Sequence, residues 1–347
     1  MLNRRQSKIL DYINEKQAVK RSDIELYINS DFEKTSKITI LRDLDYLIKN
    51  NLIHKSGNAR SIVYSSKNKN ELLRYYNIVE YFEKDIDTRQ VRYPQFNFDI
   101  FTNLHDIFSS EEMEHLEQIN QIYKKKIENL SHTILKKEFE RLLIELSWKS
   151  SQIEGNTYSL LDTEVLIKEN IEAEGHRKEE AVMILNHKKA LEYIFENKDY
   201  YKKLTLAKIE ELHEILTMQM SISRGLRTSP VGIVGTNYKP LFNQHQIREA
   251  MEKLVEIINK TENIVEKALI AVLMLSYIQP FEDGNKRTGR ILANAILFAN
   301  DYCPLSYRSI KDTDYKKAVI IFYENNSLAY FKQIFTEQFE FAVKKYF

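Results

Sequence analysis

The sequence predicts a mainly α-helical protein with a small α+β domain at its N-terminal end. Three observations carry this reading. Only 8 glycines and 5 prolines in 347 residues are too few for an all-β fold full of tight turns. Leu, Ile, Glu and Lys are abundant, as helical proteins require. Ala268 to Tyr277 is apolar on all sides apart from one Ser, which reads as a helix buried on every face. The length implies two or three domains, and 43% hydrophobic residues suffice for ordinary cores. We divide the chain into residues 1–70, a helical linking region 71–139, and a main helical domain 140–347.

Along residues 3–66, Ile9, Leu10 and Ile13 mark a first helix, and Ser22, Ile24, Tyr27 and Ile28 give a cap and an apolar face to a second. Ser36 caps a third, whose buried stripe is Ile38, Leu41, Leu44, Leu47 and Ile48. Leu52-Ile53 and Ser61-Ile62-Val63-Tyr64 flank a Gly57-Asn58 turn, the signal of a β-hairpin. Lys37, Thr39 and Arg42 lie on the third helix's polar face, and Arg60 lies on the hairpin; these residue types reach phosphates and base edges. Asp43 and Asp45 dilute that face. The pattern resembles bacterial winged-helix regulators, which implies a winged helix-turn-helix domain and double-stranded DNA as a partner. Protein contacts or dimerisation are the alternative use of the same fold.

The charge distribution is uneven in the same sense. Residues 1–70 hold 14 Lys or Arg against 8 Asp or Glu, a net +6, while the whole chain is +1. A basic front end on a slightly acidic remainder suits a polyanionic partner at that end alone. The one cysteine, Cys303, excludes an internal disulfide and reads as a small buried apolar side chain in a reducing compartment. No apolar run approaches the roughly 18 residues of a membrane span, and the charged start leads into no signal region, so we expect a cytoplasmic protein.

Further on, Leu72 to Phe82 is expected to be helical, Asp85 to Phe101 with Pro94 an irregular crossover, and Glu111 to Lys137 helical again. The apolar helix from Leu142 to Trp148 should end at Gly155-Asn156. Glu154 then sits at a helix C-terminus, where a negative charge is disfavoured unless a cation answers it. Ala181 to Phe195 and Ile209 to Met218 read as helices, with His213 a core histidine. Val231-Gly232-Ile233-Val234-Gly235 is a short β-forming segment, expected as a hairpin, and Asn243 to Asn259 returns to helix. After the buried helix at 268–277, Pro280 is the stop, Gly284-Asn285 a tight loop, and Ile291, Leu292 and Ile296 resume helical spacing. Past a break at Asn300 to Leu305 with Pro304, Tyr315 to Tyr346 supplies helices rich in Phe and Tyr, suited to core packing and to a homodimer surface.

The informative stretch is Gln279-Pro280-Phe281-Glu282-Asp283-Gly284-Asn285-Lys286-Arg287-Thr288-Gly289-Arg290. Lys286, Arg287 and Arg290 crowd a helix N-terminus, the wrong end for cations if helix stability alone mattered. Read alone, the stretch fits either a seat for an anion or a solvated loop of paired charges. Asp283 is suited to a hard divalent metal shared with phosphate oxygens. The stretch resembles the active-site motif of the Fic family, His-Pro-Phe-x-Asp/Glu-Gly-Asn-Gly-Arg-x-x-Arg, matching at Pro280, Phe281, Asp283, Gly284, Asn285, Arg287 and Arg290.

The resemblance implies a Fic-type helical core that binds ATP and Mg²⁺ and transfers AMP to a Ser, Thr or Tyr hydroxyl of a target protein. By position, Asp283 would hold the metal, Gly284 and Asn285 would cradle phosphates together with Lys286 and Gly289, and Arg287 and Arg290 would neutralise the terminal phosphates. Ser150, Glu154 and Gly155 are similar to the family's inhibitory motif Ser/Thr-x-x-x-Glu-Gly/Asn, whose Glu would pair with Arg290. Val231, Gly232, Ile233 and Val234 would be the flap that docks the target. Two positions depart. Gln279 stands where the family has its catalytic His, and an amide cannot serve as general base, a loss of roughly a hundred- to ten-thousand-fold in rate. Lys286 replaces the usual Gly and is similar to the Asn-Lys-Arg-Thr wording of the related Doc kinases. The expected protein is therefore either a self-inhibited adenylyltransferase, weak or inactive as it stands, or a DNA-binding regulator whose non-catalytic Fic domain senses nucleotide.

Overall fold

Most apolar positions of the first 66 residues close on one another as a core of their own, but Ile38, expected in the buried stripe of the third helix, is 64% exposed because Ile40 takes the inward position on that turn. The computed structural model describes residues 2–347 except 17, 32–34, 51, 59, 60, 68 and 69. Here α1 (Arg4–Lys16), β1 (Ala18–Lys20), α2 (Arg21–Asp31), α3 (Lys37–Lys49), β2 (Ile53–Ser56) and β3 (Val63–Ser66) follow in order. Ile9, Leu10, Ile13, Ile24, Ile28, Ile40, Leu44 and Leu47 meet Val19, Ile53 and Tyr64 of the strands. The strands pair antiparallel in the order β1-β3-β2. Ser36 caps α3 by accepting from the Thr39 amide at 3.2 Å. Gly57 turns the β2-β3 connection with φ +82°, and a Cβ there would meet the Ser61 carbonyl oxygen at 2.3 Å, so no other residue fits.

Leu72 to Phe82 is not one helix. Glu71–Leu73 is a single 3₁₀ turn, and α4 (Ile78–Glu83) starts anew behind Asn77, whose side chain accepts from the Glu80 amide. Leu72 belongs to the main core while Tyr75 packs against the N-terminal one, so a single helix could not serve both. The expected crossover then runs over the main body as a strap: Tyr93 N–H donates to the Glu324 carbonyl, Lys239 N–H to the Pro94 carbonyl, and Asn97 N–H to the Tyr277 hydroxyl, each at 2.9 Å.

Beyond the strap the chain is helical: α5 (Ser110–Asn129), α6 (His132–Ile153), α7 (Leu160–Glu169), α8 (Lys178–Glu196), α9 (Leu206–Leu216), α10 (Gln244–Lys260), α11 (Ile264–Ile278), α12 (Asn285–Ala299), α13 (Asp312–Asn325) and α14 (Ala329–Lys345). Ile100, Leu104, Ile107, Leu116 and Tyr123 from the 71–139 region share one core with these helices. At its centre α11 is buried from Ala268 to Ile278, as its all-round apolarity predicts. Gly289 lets α12 close on it, because a Cβ there would lie 3.0 Å from the Val272 carbonyl oxygen. Cys303 is fully buried, and burial pushes its thiol pKa up, as an inert core residue requires.

Segment 231–235 departs from expectation, since no strand forms there. A hairpin needs two arms that exchange N–H···O bonds, and here the return arm is bonded elsewhere. Lys239 pairs with the strap, and the Tyr238 hydroxyl donates into the core at the Tyr277 carbonyl, 2.8 Å away. Residues 231–233 form no helix or strand and 234–235 make a turn, and among the described residues no hydrogen bond joins the backbone of 231–234 to a neighbouring strand.

Candidate active site

The loop between α11 and α12 is held by its own side chains. Gln279 ends α11 in the left-handed region with φ 51°. The Asn285 side-chain oxygen accepts from Phe281 N–H at 2.8 Å, while its amide group donates to the Phe281 carbonyl at 2.8 Å and to Gln279 Oε1 at 2.9 Å. Gln279 Nε2 donates to the Ser276 carbonyl at 2.7 Å. The amide of Gln279 is thus held by one bond at its nitrogen and one at its oxygen, and it offers no proton-accepting group of useful pKa. Gly284 precedes α12 with φ +80°, and no side chain caps that helix, so its N-terminus keeps free N–H groups.

His213 of α9 supports the loop from below. Its ring stacks on Phe281 with centroids 3.8 Å apart, and Nε2 donates to the Asp283 carbonyl at 3.0 Å. Burial pushes its pKa down to about 4, so it is neutral, in keeping with a core histidine.

The three cations at this helix start are each answered. Arg287, buried, reaches Asp283 Oδ2 at 3.1 Å. Arg290, also buried, donates from Nε to Ser150 Oγ and from Nη2 to both the Ser150 carbonyl and Glu154 Oε1, all at 2.9 Å. Lys286 Nζ takes the other oxygen, Glu154 Oε2, at 2.9 Å. The end of α6 therefore supplies Ser150 and Glu154 one turn apart, and Gly155 follows with φ +97°, ending the helix where its sequence says it must. Glu154 is 16% exposed. Burial alone would raise its pKa, but Arg290 and Lys286 outweigh it and hold the carboxyl near 2. Arg290 is likewise kept charged: burial opposes its charge, and Tyr315 and Glu154 together push its pKa above the ordinary value.

A buried histidine that sequence reasoning left unassigned completes this cluster. His187 Nε2 lies 2.8 Å from Ser150 Oγ, and Nδ1 lies 2.8 Å from the Met183 carbonyl. Because burial pushes its pKa down to about 3, the ring is neutral. Its Nδ1–H then donates to Met183, Nε2 accepts from the Ser150 hydroxyl, and that hydroxyl is left to accept from Arg290.

A cavity of about 330 Å³ opens beside the loop, bounded by Gln279, Asp283, Gly284, Asn285, Lys286, Glu154 and the residues Val231, Gly232, Ile233 and Val234. Tyr315 and Tyr323 line it too; among the described residues their buried hydroxyls make no hydrogen bond of good geometry, with Arg290 the polar neighbour of Tyr315 and Gln279 and Ser276 those of Tyr323. By their spacing in the sequence these tyrosines read as core residues. Arg287 and Arg290 are not part of the lining, since Asp283 and Glu154 stand between them and the space. Gly289 faces α11 rather than the cavity. Among the described residues no group of three or more His, Cys, Asp or Glu could cage a metal. Asp283 offers a single 67% exposed carboxylate, which fits Mg²⁺ held by one protein oxygen and phosphate oxygens.

On the N-terminal domain, Lys37 and Arg42 are exposed on α3, while Thr39 shares its hydroxyl with the Ser36 cap at 2.9 Å. Arg60 lies outside the described residues. Asp43 does not dilute this face: it is 4% exposed and bound inward by Arg5 at 2.5 Å and Gln6 at 3.0 Å. Among the described residues no helix is long and apolar enough to cross a membrane.

A mainly helical domain with an uncapped, cation-rich helix start beside a cavity is the class this arrangement defines. Residues 203–297 match the Fic/DOC family, so the chain carries a Fic/DOC family domain. It is 31% identical over 100 residues to a probable protein adenylyltransferase of Aquifex aeolicus, covering 28% of this chain and 31% of that protein. It is 28% identical over 193 residues to protein adenylyltransferase Fic of Nematostella vectensis, covering 52% of this chain and 43% of that protein. The chain thus spans less than half the length of these two relatives. Among solved structures, residues 134–508 of Fic-1 from Caenorhabditis elegans superpose with a TM-score of 0.59 at 18% identity, over 71% of this chain and 80% of that one. A Fic domain containing signaling protein from Bacteroides thetaiotaomicron gives 0.56 at 19% identity, over 66% and 94%. The fold of the helical body is therefore a Fic fold.

Proposed function

We propose that the domain is a Fic-type protein adenylyltransferase held in a self-inhibited state and deprived of its catalytic base. The observation that carries this reading is the Glu154 carboxylate clasped between Lys286 and Arg290 at the start of α12. An anion is already seated where the helix N-terminus and the cations would receive the tail of a triphosphate. In the reaction, a target hydroxyl attacks the α-phosphorus of ATP, the new O–P bond forms as the bond to the β-phosphate oxygen breaks, and pyrophosphate leaves. Arg287 and Arg290 would stabilise the leaving charge, and the α12 N-terminus would hold the phosphates in place. Asp283 would hold Mg²⁺, which supplies charge neutralisation when bound. The hydroxyl proton has no acceptor at Gln279, whose amide is tied to Asn285 and Ser276.

The 231–234 backbone, bonded to no neighbouring strand among the described residues, supports its role as the edge to which an extended segment of the target protein adds. Incubation with labelled ATP tests the whole reading: label should attach to protein in the Gln279→His, Glu154→Gly double variant and not in the chain as it stands. No label in the double variant, with ATP bound, would reject it.

We further infer that residues 1–70 form a winged helix that contacts duplex DNA through α3. The burial of Asp43 favours this, because it leaves Lys37 and Arg42 on an outward face with Asp45 as the nearest exposed acid. A regulator whose Fic domain only senses nucleotide is the competing account. It requires duplex binding that changes with ATP while no label is transferred.

A further inference from the structure

The open edge at 231–234 is anchored at both ends, and by different chemistry. At the near end Arg227, 2% exposed, bonds among the described residues only to carbonyls: Nε to Gln279 and Nη1 to Ser229, both at 2.7 Å, and Nη2 to Leu241. Its own N–H donates to the Pro280 carbonyl at 2.9 Å. One side chain thus staples both ends of the 227–241 loop to the loop that carries Gln279.

At the far end the anchor is a buried acid. Glu324 on α13 accepts from the Thr236 hydroxyl and from the Tyr81 hydroxyl, each at 2.6 Å, and pairs with Arg89 at 3.4 Å. Arg89, itself buried, also donates to the Gly235 carbonyl at 3.1 Å. Asn237 reaches the Ile86 carbonyl at 3.1 Å. The strap from Tyr81 to Asn97 is therefore bound to the return arm of the edge, through one carboxylate shared by strap, arm and α13.

Burying a carboxylate and a guanidinium is a poor route to stability, because desolvation cancels much of their attraction; fixing a register is the better attested use of such a pair. Here the pair fixes the end of a segment that has no backbone partner of its own. A segment left free would have to be ordered when a target strand is added, at a cost in backbone entropy for every residue fixed. We propose that Glu324 and Arg89 are positioning residues that hold residues 231–238 in a pre-set line, and that the strap at 81–97 is part of the apparatus that docks an extended, hydroxyl-bearing peptide. This rests on the reading of 231–234 as the docking edge.

The test uses the full chain with Glu324→Gln, which keeps the shape and removes the charge, and with Arg89→Lys, which keeps a cation. Amide hydrogen exchange at Tyr238 and Lys239, whose N–H groups bond Thr236 Oγ1 and the Pro94 carbonyl, should quicken by about tenfold or more in Glu324→Gln and less in Arg89→Lys, with α11 and α12 unchanged. Unchanged exchange at Tyr238 and Lys239, or loosening that spreads through α11 and α12 as a merely structural role demands, overturns the proposal. In the Gln279→His, Glu154→Gly background, a synthetic pool of short peptides each bearing one Ser, Thr or Tyr is then labelled. Glu324→Gln should raise the KM for the pool several-fold and leave the KM for ATP alone. Loosened amides with an unchanged pool KM would sink the docking role. Absence of labelling in the background itself would instead reject the transferase reading, and the exchange data would still decide whether Glu324 holds the edge.

Discussion

Neutralising Glu154 while keeping its shape, as Glu154→Gln, separates the two effects of that carboxylate. Its pKa is held near 2 against an ordinary 4.5. The difference corresponds to about 3 kcal/mol of stabilisation at neutral pH. Because the folded pKa is the lower one, this contribution is complete above about pH 4.5 and is lost as pH falls toward 2. The variant should therefore be less stable than the parent by roughly 3 kcal/mol at pH 7, since Arg290 and Lys286 lose their counter-charge, and by less than half of that at pH 3. Urea unfolding at the two pH values measures it. The same carboxylate is what a triphosphate must displace, so its neutralisation should tighten ATP binding by up to roughly a hundredfold. AMP, which lacks the outer phosphates, should gain less than about threefold. Isothermal titration of both nucleotides gives the comparison. Equal gains for ATP and AMP, or no gain for either, would show that Glu154 merely caps α6 and that the anion seat is misplaced.

Three further outcomes follow from the geometry. Gln279→His alone should restore little transfer while Glu154 keeps its place, and labelling should rise by at least about a hundredfold only when Glu154→Gly is added; equal labelling in the two backgrounds would contradict the inhibitory role. Gly289→Ala should destabilise the fold by about 1–2 kcal/mol, because the new methyl meets the Val272 backbone of a fully packed helix and the gain in helix propensity does not offset that. A urea midpoint that stays put or rises would refute the close approach of α11 and α12. Arg42→Ala should weaken duplex binding and reduce the salt slope by about 1, which fluorescence anisotropy at several salt concentrations would detect; an unchanged slope removes Arg42 from the interface.

Much of this was legible in the residues because local rules fix it. The all-round apolarity of 268–277 reads as a central helix, Pro280 and Gly284 as a stop and a turn, and three cations at a helix start as charges in need of an answer. The three N-terminal helices and the β2-β3 hairpin followed in the same way from spacing and caps, whereas β1 did not. What depended on distant partners was not legible. The run from Leu72 to Phe82 has helical composition but breaks because its apolar residues serve two separate cores. The 231–235 segment has strand composition but stays unpaired because the strap, 140 residues earlier in the chain, takes its return arm.

The sequence alone placed a helix N-terminus and three cations side by side, since both are set within a dozen neighbouring residues. Only the tertiary structure decided that Lys286 shares Glu154 with Arg290, that His187 turns the Ser150 hydroxyl toward Arg290, and that Asp43 leaves the exposed face of α3. Those pairings join residues far apart in the chain, and a buried charge takes whichever partner packing brings within reach, a choice that composition and periodicity do not encode.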